Sequence, residues 1–290
     1  MARINGSGKG MTMIRQEREG LGWKARRGGV WADLQPLLDR LFSPFEDILT
    51  DASVTSGVRD VLDIGCGTGV TTLAIAARLT SHGHCTGIDI SRSLLDVART
   101  RATTAGLGNA RFIEGDAQGF DFSRHAYDIA TSRFGVMFFG DPVRAFANIR
   151  HAVRPNGALA CIVWRSEADN PFMVAAEQAA APILRWTDQA APDAPGQFAF
   201  ADAARVERIL HAAGWCTVDI TPVDVPCSLP KADLAIYVRR MGRVGMTLPD
   251  LDQDSRMEVE KALDDAFARF VVNDVARFDS ACWLVRARAA

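Results

Sequence analysis

The stretch Val61-Leu62-Asp63-Ile64-Gly65-Cys66-Gly67-Thr68-Gly69-Val70 joins a short apolar run to a glycine-rich turn and the start of a helix. Glycines at Gly65, Gly67 and Gly69 let the backbone turn sharply and let a ligand lie against it without meeting a Cβ. Two carboxylates frame the turn. Asp63 stands inside the run, two residues before the first glycine, and Asp89 ends a second run in Gly87-Ile88-Asp89-Ile90. At that separation a carboxylate can accept both hydroxyl protons of a ribose. Val70 stands where a dinucleotide fingerprint would place its third glycine. Glu114-Gly115-Asp116-Ala117 closes a third run and Tyr127-Asp128-Ile129 opens a fourth. Each feature has a plainer reading. A glycine turn can be purely architectural, an Asp at a strand end can simply cap the next helix, and Cys66 can be either a reactive thiol or a small space-filling residue.

The elements that would position these residues are legible as alternating patterns. Short apolar runs at 60–64, 84–90, 110–114, 127–132 and 158–164 read as strands, with amphipathic helices between them. Ser91 opens one helix, and Asp141 followed by Pro142 gives an N-cap and first-turn pair for another. Strands separated by helices imply a parallel, doubly wound α/β sheet. Prolines at 171, 182, 192 and 195 break the rhythm over 165–200. A helix over 202–213, a sixth strand over 215–224 and a last one over 281–287 complete the sheet, while 231–272 reads as a mostly helical excursion. Before the core, a helical stripe runs from Trp31 through Leu34, Leu37, Leu38, Leu41 and Phe42. Ser43-Pro44-Phe45-Glu46 then predicts a fresh helix start by its capping-box pattern. The organisation expected is a flexible basic tail (1–28), an N-terminal helical cap (29–56) and a ligand-binding core (57–164). The remainder (165–290) would return to the sheet and carry an inserted helical lid at about 165–200 and 231–275.

With 48% hydrophobic and 23% charged residues over 290, the chain has ample material for a large core. A net charge of −2 provides no field to gather nucleic acid or anionic lipid. The six cysteines form no C-x-x-C pair, and no segment reads as a signal peptide or membrane span, so a cytoplasmic protein with buried thiols is expected. His82, His84, His125, His151 and His211 show no metal-ligand spacing beyond the chance pair at 82 and 84, so no metal is expected.

The ordered series VLDIGCGTG (61–69), GIDIS (87–91), EGDAQ (114–118), YDIATSRFGVMFF (127–139) and RPNGALACIVW (154–164) resembles the class I S-adenosylmethionine-dependent methyltransferases. The likeness is stronger to the branch that includes the ubiquinone and menaquinone C-methyltransferases. It covers about residues 61–164. The resemblance implies a Rossmann-like, mostly parallel seven-stranded sheet, S-adenosyl-L-methionine as cofactor and a small-molecule methyl acceptor, and it is compatible with a homodimer. It implies that Asp63 and the loop of Gly65, Cys66, Gly67 and Gly69 contact the methionine moiety and sugar, and that Asp89 holds the ribose diol. It further implies that Ile90 packs on adenine, that Asp116 and Ala117 address the adenine edge, and that Ser132 and Arg133 border the methionine end. Trp31 would cover that end from the N-terminal helix.

Methyl transfer needs little beyond orientation and exclusion of water, and no residue declares itself as a base for an oxygen or carbon acceptor. Arg133, Trp164, Arg165, Glu167 and Asn170 fall at the ends of the fourth and fifth strands, where open α/β sheets place ligands. Arg239, Arg240 and Arg243 form a second cluster that could meet an acidic substrate or simply be a solvated helix face. Two rivals stand beside the methyltransferase: an NAD-dependent oxidoreductase on a similar sheet, and a non-catalytic protein that keeps the pocket.

Overall fold

In the computed structural model, which describes residues 30, 33–79, 82–187 and 194–290, the apolar runs become one sheet. Its strands are β1 (Asp60–Ile64), β2 (His84–Asp89), β3 (Ala110–Glu114), β4 (Tyr127–Arg133), β5 (Val153–Trp164), β6 (Trp215–Pro230), β7 (Val271–Val272) and β8 (Val275–Ala289). The order is β3-β2-β1-β4-β5-β8-β6, with the two-residue β7 added on β8. Neighbours from β3 to β5 pair in parallel, whereas β8 runs antiparallel to both β5 and β6. Val61, Leu62 and Ile64 are buried because helices cover both faces, the condition that lets a parallel strand be apolar on both sides. Between β1 and β4 the strand order reverses, which opens a crevice at their carboxyl ends.

Helices α1 (Gln35–Ser53), α2 (Val70–Arg78), α3 (Arg92–Thr104), α4 (Pro142–Ala152), α5 (Pro171–Leu184) and α6 (Ala203–Ala212) precede β6. Asp141 caps α4 as expected, accepting the Arg144 N–H at 3.0 Å above Pro142. Ser91 occupies the position before α3 but makes no capping bond. The carboxylate of Asp89 takes the Ser91 N–H instead, at 2.8 Å. At the opposite ends of the strands, Asp128 accepts the N–H groups of Arg59 and Asp60 and pairs with Arg154, so this carboxylate fastens strand starts away from the crevice.

The fresh helix start predicted at Ser43 does not occur, because α1 runs straight through Pro44. Proline cannot donate to the carbonyl four residues back, and that acceptor, the Arg40 carbonyl, receives the Ser43 hydroxyl at 3.1 Å. The buried stripe Leu37, Leu38, Leu41, Phe42, Phe45 and Leu49 continues across the proline and holds the helix on the core. The predicted tail (1–28) and Trp31 lie outside the described residues.

Strands β6 and β8 are longer than their patterns suggest. The sixth strand, expected over 215–224, runs on to Pro230, and Pro222, Pro226 and Pro230 all sit in it, at the sheet edge. Their spacing of four puts the three missing N–H groups on one side of the strand, and the ladder to β8, continuous from Asp219 to Pro230, makes that the outer side. The β5 ladder ends at Trp164↔Cys282, while the β6/β8 pairing continues to Pro230↔Val275. This ribbon therefore projects past the carboxyl end of β5. At its tip it carries α7 (Lys231–Arg240), α8 (Gly242–Thr247) and α9 (Gln253–Ala268), the helical excursion expected from sequence. Helix α9 packs on α5, α7 meets α1 through Arg40–Asp233 (2.5 Å), and Arg240 of α7 pairs with Asp33, which precedes α1 (2.7 Å).

Candidate cofactor site

The turn after β1 is built by three glycines that perform different work. Gly65 (φ +65) comes so close to the turn after β4 that a Cβ would lie 2.7 Å from Gly135 Cα. Gly69 (φ +81) brings the start of α2 against α3, where a Cβ would meet Ala98 at 2.9 Å and the Phe112 ring at 3.0 Å. Gly67 (φ +53) lies between them, and nothing stands within 4 Å of where its Cβ would be. One glycine in three thus faces open space. Gly65 and Cys66 donate their N–H groups to the Ile88 carbonyl, at 2.8 and 3.1 Å, and Gly67 N–H donates to Asp89 Oδ2 at 2.9 Å. The carboxylate closing β2 and the turn closing β1 form one unit.

Asp63 is 1% exposed. Its Oδ2 accepts the Thr72 hydroxyl at 2.6 Å, and its Oδ1 has no partner. Burial holds its carboxyl up to about 7 from an ordinary 3.8, against the bond from Thr72 and the nearby Arg133 guanidinium. The folded chain therefore retains this proton to about pH 7, where the unfolded chain has lost it by about pH 4, so folding stability falls as pH rises through that window and levels off above it. The effect is on the order of a few kcal/mol. Asp63→Asn should remove this contribution, leaving a ligand-free protein that melts above the native one at pH 8 and close to it at pH 4. Parallel melting curves for the two proteins across that range would contradict the assignment.

Around this centre the remaining predicted residues take definite places. Asp89 accepts Gly67 N–H on one oxygen and Ser91 N–H on the other, and burial pushes its carboxyl up. Ile90 projects outward, 60% exposed. Asp116 Oδ1 accepts the Gln118 N–H at 2.9 Å, and the buried Ala117 has its carbonyl held by Asn148 Nδ2 at 2.9 Å. Gln118 Oε1 accepts the Asp141 N–H at 2.7 Å, which fastens the β3 loop to α4. Ser132 is fully buried, and its hydroxyl donates to the Ile64 carbonyl at 2.8 Å and accepts from Gly135 N–H at 3.1 Å. That hydroxyl is committed to the seam between β1 and β4. Arg133 donates to the Phe42 carbonyl at 3.3 Å, and burial lowers its pKa while Asp39, Asp63 and Glu46 favour its charge. The Cys66 sulfur packs where a Gly87 Cβ would lie, only 2.7 Å away, and burial pushes its thiol up, so it fills space.

Several residues escaped sequence reasoning. Thr72 is one turn into α2, and Gly135 lies within the stretch quoted for β4, where the missing Cβ would be 2.5 Å from the Ile64 carbonyl. Asp39 comes from α1 and Arg101 from α3, where no ligand-binding motif marks them, and Glu46 of α1 is legible only as part of a capping-box pattern. Burial raises the Glu46 carboxyl. Conversely, candidates at the strand ends prove to be engaged elsewhere. Arg165 pairs with Asp169 (2.8 Å) and Asp224 (2.9 Å), and Asn170 exchanges two hydrogen bonds with the Ala281 backbone. Trp164 stacks on Phe134 at 4.4 Å. Arg239 grips Asp264 with two bonds, Arg240 pairs with Asp33, and Arg243 lies 4.0 Å over the Trp186 ring. Among the described residues no group of His, Cys, Asp and Glu is arranged to hold a metal.

Comparison with known proteins agrees with this geometry. Residues 61–157 match the methyltransferase domain family. Over 103 residues the chain is 34% identical to the demethylmenaquinone methyltransferase of Listeria monocytogenes serotype 4a, covering 36% of this chain and 44% of that protein. It is 31% identical over 115 residues to the enzyme of the same name from Staphylococcus aureus, covering 40% and 46%. The match thus spans less than half the length of these curated relatives. Among solved structures, the cyclase SpnF superposes with a TM-score of 0.56 at 18% identity, covering 91% of this chain and 95% of that one. A Haemonchus contortus phosphoethanolamine N-methyltransferase, in complex with S-adenosyl-L-methionine, superposes at 0.52 and 16% identity over 84% of this chain and 52% of that one. These likenesses establish the Rossmann-like methyltransferase fold. Their differing names show that the fold alone does not fix the reaction.

Proposed function

We propose that this chain is a class I S-adenosylmethionine-dependent methyltransferase that delivers a methyl group to a small-molecule acceptor. The observation that carries the reading is the joining of Gly67 and Asp89 by a hydrogen bond beside the buried, half-partnered Asp63, at the point where the strand order reverses. The residues fit the cofactor's parts. Each Asp89 oxygen accepts one backbone N–H and retains a lone pair, which suits the two donors of a ribose diol. The unpartnered Asp63 oxygen calls for a donor such as the methionine ammonium, and the Arg133 guanidinium offers a counter-charge for its carboxylate. Ile90 presents apolar surface to a flat ring, and Asp116 and Ala117 border its edge.

When bound, the sulfonium supplies a methyl electrophile open to in-line displacement by an acceptor lone pair. The protein's share is orientation and dryness. Helix α1 supplies cover, since Phe42 and Phe45 both pack edge-on against Phe134 and Trp164 at the ends of β4 and β5. The ribbon-borne helices over 231–268 and the segment around α5 complete a lid over the same side. The domain likeness to demethylmenaquinone methyltransferases makes ring-bearing quinone precursors the first acceptors to try. Six free cysteines, five of them buried, suit a cytoplasmic location.

Titration by calorimetry separates the rival chemistries. S-adenosylmethionine and S-adenosylhomocysteine should bind with one site per chain, and NAD should give no heat. Binding of NAD in preference to both would replace this reading with that of an oxidoreductase.

A further inference from the structure

The glycine turn is pinned from two sides, and only one of them belongs to the site just described. Asp89 fixes the N–H of Gly67; on the far side, Arg101 of α3 donates through one guanidinium nitrogen to the Thr68 carbonyl at 3.1 Å and to its hydroxyl at 3.3 Å. The other terminal nitrogen lies 3.0 Å from Asp39 of α1. Thr68 stands between two left-handed glycines, where rotation of the peptide plane meets the least steric resistance. Holding its carbonyl therefore restrains the peptide plane between the two glycines. The pair is also shielded: the Arg101 and Asp39 side chains are 29% and 23% exposed, against 44% and 73% for the surface pair Arg78–Asp51. Charge-assisted bonds gain strength with such shielding. Asp39 further accepts from Gln35, so it is held in place on its own helix.

We propose that Arg101 is a positioning residue that clamps the glycine turn to helix α1 through Thr68 and Asp39, so that cofactor binding and the docking of α1 reinforce one another. Two reciprocal pairs extend the chain of contacts, since Asp33 and Arg40 of the N-terminal helical segment meet Arg240 and Asp233 of α7. A ligand that orders the turn thereby tightens the cover above it, and a loosened cover weakens the turn by the same factor. This coupling rests on the turn being the cofactor site proposed above.

The test compares the native chain with Arg101→Ala and with Asp39→Asn, a near-isosteric change. Calorimetry reads S-adenosylhomocysteine affinity, and hydrogen exchange reads residues 35–53 and 66–69 with and without that ligand. Both variants should bind about tenfold more weakly. In the native chain the ligand should slow exchange in α1; in the variants, at saturating ligand, it should slow the turn but not α1. Affinity within twofold of native, with α1 still protected, would overturn the clamp. Should the native chain bind no S-adenosylhomocysteine, the cofactor reading fails, and the clamp is then judged without ligand. There, exchange in the turn and in α1 should rise together in both variants, and unchanged exchange would overturn it.

Discussion

A Gly135→Ala protein should melt several degrees below the native chain and should lose cofactor affinity along with that stability. The added Cβ would lie 2.5 Å from the Ile64 carbonyl and 2.9 Å from Gly65 Cα, both backbone atoms that no rotamer change can move. Either the β4 turn or the β1 turn must yield. Overpacking of this kind costs about 1–3 kcal/mol, enough to shift Tm by several degrees in a domain of this size. Because Gly135 N–H also donates to the Ser132 hydroxyl, which in turn holds the Ile64 carbonyl, the displacement spreads along the seam that sets the glycine turn. Thermal unfolding with and without S-adenosylhomocysteine checks both parts. A native Tm with a native ligand-induced rise would show that the two turns do not meet as described.

Asp89→Ala should weaken S-adenosylhomocysteine binding by about 100-fold or more, the loss of two charged hydrogen bonds worth about 1.5–3 kcal/mol each. Two contributions act together. The ribose loses its acceptors, and Gly67 N–H loses the bond that aims it. Ligand-free stability should change far less, because burial already disfavours the charged form of this carboxylate. Asp89→Asn refines the test, since it retains one acceptor but turns the other into a donor facing an N–H group. It should fall between native and Ala in affinity. Calorimetry showing unchanged affinity for the Ala variant would remove Asp89 from the site.

The glycine turn and its neighbouring strands were legible because their chemistry is local. An apolar strand, a glycine turn and a helix start are adjacent in sequence, so β1, the turn and α2 follow from spacing alone, as does the carboxylate at the end of β2. What could not be read depends on contacts between distant segments. Pro44 looks like a helix start until the Ser43 hydroxyl is seen taking over its lost bond on a stripe anchored by the core. The expected end of the sixth strand at 224 falls short of its true end at Pro230, because the added prolines are tolerated only by an edge strand. Arg101 lies in an ordinary helical pattern, and its role arises only where α1, α3 and the turn converge. Ser132 shows the opposite case: the resemblance assigns it to the methionine end of the cofactor, whereas its hydroxyl is spent on the seam between two strands.

On the proposed function, the turn after β1 and the carboxylate after β2 together hold the adenosyl portion of the cofactor. Crystals grown with S-adenosylhomocysteine test this directly. Density should run along the glycine turn, with both ribose hydroxyls in hydrogen-bond reach of Asp89 and the adenine ring against Ile90. Density for that ligand anywhere else, or a ribose turned away from Asp89, would contradict it.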